Sequence, residues 1–132
     1  MVVINNSKPI TNINPIKLYP NSVDYQDKIK VMKTAYKSAK DYNSEISQVS
    51  VGYLDKEQNI LIANTEGLYI EDKRVRTRLS VTSVASRGSE NQTGHEGPGA
   101  CKGFELFEDI DPAYYGKEAS RVAYTMLNAK SC

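Results

Sequence analysis

The feature that most constrains this chain is a sustained alternation of residue types between Arg74 and Ala85. One set of alternating positions is apolar or small, namely Val75, Thr77, Leu79, Val81, Ser83 and Ala85. The other set is basic or hydroxylated, namely Arg74, Arg76, Arg78, Ser80 and Thr82. Because successive side chains of a strand point to opposite faces of a sheet, the pattern predicts a strand with one buried face.

Two shorter strand patterns precede this one. The segments 45–54 and 60–64 are rich in β-branched and apolar residues, and the polar stretch DKEQN between them predicts a hairpin turn. The sequence NTEG at Asn64–Gly67 predicts a second turn, in which Gly67 supplies the positive φ that closes it.

Two further segments complete the predicted sheet. The stretch 68–88 is long for one strand, so it predicts either two hairpin partners or one long bent strand. The sequence GFELFEDI predicts a last strand, with Phe104 and Leu106 on one face.

Apolar residues at helical spacing predict one helix before the strands and one after them. Ser22 or Asp24 can cap the first, whose stripe is Tyr25, Ile29, Met32, Tyr36 and Ala39. Asp111 caps the second and Pro112 starts it, with a stripe of Tyr115, Ala119, Val122, Ala123, Met126 and Leu127. The sequence therefore predicts an α+β fold, in which an antiparallel sheet of four to five strands packs against two helices in the order helix, strands, helix.

Composition narrows the class of protein. Lys and Arg total 17 and Asp and Glu total 16, so overall charge does not favour nucleic acid as a partner. The sequence has no apolar run of about 18 residues, so it predicts no membrane-spanning helix. No basic segment precedes the apolar start, so it does not resemble a signal peptide, and we expect a cytoplasmic protein. Residues 1–20 predict an extended linker with a short edge strand at Met1–Ile4, and residues 21–132 predict a single domain.

The stretch TGHEGPGACKG contains the only histidine, His95, next to Glu96 and six residues before Cys101. A zinc-peptidase helix needs two histidines one turn apart, but Gly99 stands where the second would be, and Pro98 breaks a helix. A loop site made of these three residues is disfavoured because metal ligands need specific geometry. A small enzyme with Cys101 as nucleophile and His95 as base stays open as an alternative, although no third, orienting group is evident.

The glycines of this stretch allow a second interpretation. Gly94, Gly97 and Gly99 lack the spacing of a phosphate-binding loop, so we predict a mobile or substrate-facing glycine loop between two strands. Cys101 and Cys132 match no zinc or redox spacing and are predicted to be free thiols, with a disulfide as the alternative.

The arginine row can bind phosphates or acidic groups of a peptide. Its members, Arg74, Arg76 and Arg78, are spaced by two and share one face of the predicted strand. A solvated face, or ion pairs to a neighbouring domain, is the favoured interpretation because the chain as a whole is not basic. No aromatic residues interleave with the arginines, which disfavours single-stranded nucleic acid.

Several of these elements, in this order, resemble a known family. A helix follows LYP at Leu18–Pro20, an N-[ST]-x-G turn stands at Asn64–Gly67, a long strand pair reaches a glycine-rich loop, and the last helix carries an A-x-x-x-A-x-x-x-L pattern. Over about residues 18–132 the chain resembles the middle segment of the TldD/PmbA family, also called modulators of DNA gyrase. It is nearer to the TldD branch than to the PmbA branch.

The resemblance implies a function for a larger protein. TldD-like subunits are similar to zinc metallopeptidases with an H-E-x-x-x-H motif, and they pair with a PmbA-like (TldE) subunit to digest unfolded peptides. In the family that motif follows the helix that ends this chain, and the chain stops at Cys132. The resemblance thus implies a middle domain with no catalytic residue and no zinc ligand of its own, the zinc belonging to the full-length protein.

That domain is expected to help form the peptide cleft and the interface with a partner subunit, or with a second copy of itself. The candidate contacts are Arg74, Arg76, Arg78, Gly94, His95, Gly97 and Gly99. The alternative function, which the arginine row motivates, is a module that binds nucleic acid or associates with DNA gyrase.

Overall fold

The computed structural model describes residues 15–130. These form a four-stranded antiparallel sheet with helices on one face, so the predicted α+β fold is confirmed. A 3-10 turn at Pro20–Ser22 comes first. The remaining elements are α1 (Tyr25–Lys40), β1 (Ile46–Ala63), β2 (Tyr69–Arg87), β3 (Glu90–Glu96), β4 (Gly99–Ala100), α2 (Leu106–Asp109) and α3 (Pro112–Leu127). Met1–Ile4 and most of the predicted linker lie outside the described residues, and the domain boundaries stay a prediction.

β1 and β2 form one long hairpin, so the hairpin turn predicted at DKEQN is wrong. Strand β1 continues through that stretch, with Lys56 opposite Arg76. Its acidic residues have partners that the sequence alone does not reveal. Asp55 lies 2.6 Å from the Nζ of Lys28 on α1, and Glu57 lies 2.6 Å from the Nζ of Lys73 on β2. Because these acidic residues form ion pairs with neighbouring elements, the polar stretch continues as a strand and does not form a solvated turn.

The turn that closes this hairpin is the predicted one. The side-chain Oδ1 of Asn64 accepts hydrogen bonds from the backbone amides of Glu66 and Leu68. Gly67 has a φ of 90°, a value that side chains disfavour, so the glycine is required there. Within the stretch 68–88, Tyr69–Arg87 forms one long strand, so the alternative of two hairpin partners is wrong.

The order along the sheet is β1-β2-β3, and β4 pairs with β2 beyond the end of β3. A tight turn at Gly88, with a φ of 61°, joins β2 to β3. Strand β3 places His95 opposite Thr82 and Gly94 opposite Ser83. The prediction of a glycine loop here is thus wrong for Gly94 and His95, because ladder hydrogen bonds to β2 order this part of the chain.

The predicted last strand is also wrong, since GFELFEDI contains turns and the short helix α2. The Glu105 side chain is buried, and its carboxylate accepts hydrogen bonds from the backbone amides of Lys17 and Leu18 at 3.1 and 3.0 Å. Burial raises the pKa of Glu105, but these and other backbone hydrogen bonds outweigh it and hold the pKa below its ordinary value of 4.5. Residues 17–18 are therefore attached to the domain by a buried carboxylate.

Helices α1 and α3 pack on the face of β2 that carries Leu79 and Val81, as the alternation predicts. Their caps are as predicted, with Asp24 accepting from the amide of Gln26 and Asp111 from that of Ala113. The predicted stripes are partly wrong. Three of their members are largely exposed, namely Tyr25 at 66%, Tyr36 at 46% and Met126 at 50%.

The stripes differ because the two helices also pack closely on each other. A Cβ added to Gly116 of α3 would lie 2.2 Å from the carbonyl oxygen of Ala35 on α1, so only glycine fits there. This contact rotates α1 so that Ala35 and Ala39 are its buried residues. Ser120 of α3 donates a hydrogen bond to the Ala39 carbonyl at 2.8 Å and accepts one from Ser83 of β2 at 2.8 Å.

Candidate functional site

The face of the sheet opposite to the helices carries the candidate site. We call it the outer face, and its residues on β2 are the even-numbered ones, including Arg74, Arg76 and Arg78. All three arginines are exposed, as the alternation predicts. They extend over about 13 Å of strand, since each strand residue adds about 3.3 Å.

Lys56 of β1 adds a fourth cation to this row. It lies directly opposite Arg76, a position that brings two positive side chains together across the ladder. Arg74 has an acidic neighbour, because its Nε lies 2.8 Å from the Oδ2 of Asp72. Within residues 15–130, Lys56, Arg76 and Arg78 form no ion pair. Positive charge is therefore concentrated in the middle of the outer face.

Arg78 lies flat against the glycine segment that follows β3. A Cβ added to Gly97 would come within 2.7 Å of the Nη2 of Arg78 and 3.2 Å of the Nε2 of His95. One added to Gly99 would come within 3.1 Å of the Cβ and Cγ of Arg78. The two glycines thus leave room for the guanidinium and the imidazole to lie side by side on the outer face.

A shallow groove of about 430 Å³ lies at this point, where β4 meets β2. Its lining combines cations, glycine backbone and one exposed apolar side chain. The residues that line it are Leu54, Arg76, Thr77, Arg78, Gly97, Gly99, Ala100 and Cys101. Leu54, opposite Arg78 and 64% exposed, is a lining residue that the sequence pattern did not indicate. A peptide can approach the backbone closely where glycines form the wall.

The predicted contact residues divide between the two faces. The three arginines, His95, Gly97 and Gly99 lie on or beside the outer face, and Arg78 meets the two glycines there, while the Nδ1 of His95 lies 3.0 Å from the hydroxyl of Thr82. Gly94 does not join them. It faces α3, where an added Cβ would lie 2.0 Å from the carbonyl oxygen of Ala119, so its role is packing.

No metal centre is evident in the described part of the chain. Among residues 15–130, no group of three or more His, Cys, Asp and Glu side chains is arranged to hold an ion. Cys101 is exposed and free, while a disulfide with Cys132 involves a residue outside the described range.

One side of β2 offers free backbone beside the groove. Strand β3 pairs with β2 from Val81 to Arg87, and β4 pairs with Thr77 and Arg78. Within the described residues no strand pairs with this side of β2 from Tyr69 to Arg76, and we call this segment the free edge. Its unpaired amides and carbonyls can accept a further strand.

No helix in the described part of the chain is both long and apolar enough to cross a bilayer.

Two bacterial proteins named metalloprotease TldD homolog are similar to this chain in sequence. The Haemophilus influenzae protein is 26% identical over 127 residues, which cover 89% of this chain and 26% of the relative. The Buchnera aphidicola protein is 21% identical over 126 residues, which cover 90% of this chain and 25% of the relative. The chain thus spans about a quarter of the length of the curated relatives it matches.

A solved structure shares the fold. It is that of a Thermotoga maritima protein described as a candidate modulator of a DNA gyrase, with a TM-score of 0.79 and 22% identity. The similarity covers 98% of this chain and 29% of that one. A family model, described as the PmbA/TldA metallopeptidase central domain, matches residues 18–127, which is most of the chain. The chain therefore belongs to the PmbA/TldA metallopeptidase central-domain family.

Proposed function

We propose that this chain is the non-catalytic central domain of a larger TldD-like zinc metallopeptidase of the cytoplasm. In that protein it would help form the cleft for unfolded peptides and the interface with a partner subunit of the PmbA/TldE kind. The family membership and the coverage of about a quarter of each TldD homolog support this role. The zinc would bind elsewhere in the full-length protein, as the family resemblance implies.

The observation that carries the proposal is the free edge of β2. Strand β4 already pairs with Arg78 and Thr77 and ends where the free edge begins. A peptide in extended conformation could continue the same ladder from Arg76 towards Tyr69, with its backbone bonded to β2. The end of the peptide next to β4 would then lie beside the groove, which Arg76 and Ala100 line.

This mode of binding suits a peptidase that acts on unfolded chains. Strand addition needs a peptide whose own amides and carbonyls are free, and folded proteins have few such segments. The backbone would provide affinity for any extended sequence, and the side chains that flank β2 would provide selectivity.

Hydrogen exchange tests strand addition directly. The 132-residue chain is measured alone and with an excess of an unstructured peptide of neutral sequence. Bound peptide should slow exchange of the amides between Tyr69 and Arg76 and leave most of β1 unchanged. The matched control is the same peptide with every backbone amide N-methylated, which keeps its side chains but removes the donors that strand pairing needs.

Unchanged exchange at the free edge, even with peptide at about millimolar concentration, would exclude a peptide-binding role for this edge. The interface role is tested separately with the full-length protein that contains this chain and its partner subunit. If the outer face contributes to that interface, a bulky substitution such as Ser50→Trp should weaken co-purification, whereas Thr34→Trp on the exposed side of α1 should not.

A second candidate function rests on the arginine row, which with Lys56 gives one face four cations. A module that binds nucleic acid or associates with DNA gyrase would use these cations for phosphate contacts. Its affinity for duplex DNA should fall steeply between about 50 and about 200 mM salt and should weaken in Arg76→Ala. Binding that is absent, or insensitive to salt, would remove this candidate.

A further inference from the structure

We propose that the outer face selects extended peptides that carry acidic side chains at alternate positions. This inference rests on the proposed strand addition at the free edge and names the class of peptide that the edge would prefer. The observations that carry it are an unfavourable arrangement of charge on the outer face and the spacing of its cations.

The charge arrangement is unfavourable because Lys56 lies directly opposite Arg76. Arg74 and Arg78 flank this pair on the same face of β2. Like charges in directly opposed positions destabilise a sheet, and within residues 15–130 only Arg74 of these four has an acidic partner. An anion bound between them would remove this repulsion.

The chain has acidic residues that could have balanced these cations, but it places them elsewhere. Its net charge is only +1, with 16 acidic residues in total. The acidic neighbours of Lys56 in the sequence, Asp55 and Glu57, point to the opposite face and pair with Lys28 and Lys73. On β1 the positive charge of Lys56 is therefore segregated from the acidic groups of its strand, and on β2 Asp72 pairs with Arg74.

The spacing of the cations matches that of an added strand. In a peptide paired with the free edge, every second side chain would lie on the outer face, beside Arg74 and Arg76. Directly opposed side chains in a ladder have Cβ atoms about 5 Å apart, which is within reach of an ion pair between arginine and a carboxylate. Acidic residues at alternate positions would therefore meet successive arginines, whereas contiguous acidic residues would send half of their charges to the other face.

The same face is poorly suited to single-stranded nucleic acid. The two aromatic residues of the β1–β2 hairpin are Tyr53 and Tyr69, and both lie on the side of the helices. Stacking on aromatic rings provides much of the affinity for unpaired bases. The outer face instead places the exposed Leu54 among its cations, which favours a peptide with mixed side chains.

The test uses three labelled peptides of equal length and fluorescence anisotropy with the 132-residue chain. In the first, glutamate alternates with threonine, and in the second glutamine replaces each glutamate. The third has the composition of the first with its glutamates in one block. We expect the alternating acidic peptide to bind about tenfold more tightly than the other two, a ratio that corresponds to about 1.4 kcal/mol and that two exposed ion pairs can provide.

Two variants with the same change of charge locate the effect. Arg76→Gln should weaken the affinity for the alternating acidic peptide about fivefold, a ratio that corresponds to about 1 kcal/mol. The affinity for the glutamine peptide should stay unchanged. Lys33→Gln on the exposed side of α1 should change neither affinity. Circular dichroism of each variant checks that the fold is retained.

The outcomes separate this inference from the proposed function. If the glutamine peptide protects the free edge and glutamate adds no affinity, the acidic preference is wrong and strand addition stands. If no peptide binds, both are wrong. If the peptide with its glutamates in one block binds as tightly as the alternating peptide, the face recognises negative charge without strand register and the inference is overturned. The same follows if an unlabelled oligonucleotide displaces the labelled peptides at a lower concentration than unlabelled peptide does.

Discussion

The two ends of the β1–β2 hairpin share one alternating backbone and differ in what covers it. At the base, α1 and α3 pack over Leu79 and Val81, which are fully buried. Near the turn, in what we call the arm (59–63 and 69–73), Leu61 is 59% and Ile62 51% exposed. Because burial of apolar surface stabilises folding, the base holds the domain together, and the arm leaves apolar surface and free backbone available to a partner.

The largest effect should come from a very close contact at the base, where β3 meets α3. Gly94→Ala would place a Cβ 2.0 Å from the backbone oxygen of Ala119, and backbone cannot move aside as a side chain can. We expect a loss of about 3 kcal/mol or more in the free energy of unfolding, measured by urea denaturation. Thr93→Ala, on the outer face of the same strand, is the control and should cost less than about 1 kcal/mol. A mild effect of Gly94→Ala would mean that β3 and α3 are less closely packed.

The base and the arm are compared most directly by one substitution made in each. Leu79→Ala at the base should lower the free energy of unfolding by about 3 kcal/mol, since it removes buried methyl groups. Leu61→Ala in the arm should lower it by less than about 0.5 kcal/mol, as at most surface positions. Equal losses in the two urea titrations would contradict the distinction between base and arm.

The attachment of residues 17–18 by Glu105 should be sensitive to pH. The pKa of the Glu105 carboxylate is lower in the native state than its ordinary value of 4.5. Glu105 therefore stabilises the fold at pH values above the pKa of the unfolded state, and this contribution is lost as the pH falls through the native pKa. Glu105→Gln should cost about 1–2 kcal/mol at neutral pH, because two amides lose a charged acceptor. Urea titrations from about pH 7 to about pH 3 should show wild type and variant converging in acid.

If the two proteins instead keep the same difference in unfolding free energy throughout that range, the carboxylate does not titrate as the structure implies. Glu108→Gln on the exposed side of α2 provides the control, since it changes the same charge without a buried acceptor. It should follow the wild-type profile closely.

The smallest effect should have the opposite sign. Arg76→Gln removes the like-charge pair with Lys56, so it should raise the free energy of unfolding by about 0.3–0.5 kcal/mol. Thermal unfolding at low salt is the suitable measurement, because added salt screens the repulsion. A clear loss of stability would show that Arg76 supports the fold and would weaken the case for a binding role.

Local sequence signals predicted the features that depend on local physics. The alternation from Val75 to Ala85, the turn at Asn64–Gly67 and the cap residues Asp24 and Asp111 all lie where the sequence placed them. Each follows from side-chain direction or from a hydrogen bond within a few residues.

The incorrect predictions involve partners that are distant in the chain. DKEQN has the composition of a turn, but Lys28 and Lys73 pair with its acidic residues and let the strand continue. GFELFEDI alternates like a strand, yet Glu105 is held by the amides of residues 17–18. Neither contact can be seen in a local pattern.

The candidate site was predicted in part for the same reason. The arginine row could be seen in the sequence, but Lys56 joins it only through the register of the hairpin. One signal was available, since Ala63 pairs with Tyr69 across the predicted turn and an uninterrupted ladder from there brings Lys56 opposite Arg76. Gly94 was named as a candidate contact of a glycine loop because the composition is glycine-rich, whereas the structure places it in β3 facing α3.

The measurement that tests the central claim most directly is hydrogen exchange of the 132-residue chain with the alternating glutamate peptide. In the wild-type chain we predict that bound peptide slows exchange of the amides from Tyr69 to Arg76. The Arg76→Gln variant should need a peptide concentration about fivefold higher to reach the same protection. Protection confined to the opposite edge, in β1, or the same peptide requirement for both proteins, would contradict the claim that the free edge and the outer face act together.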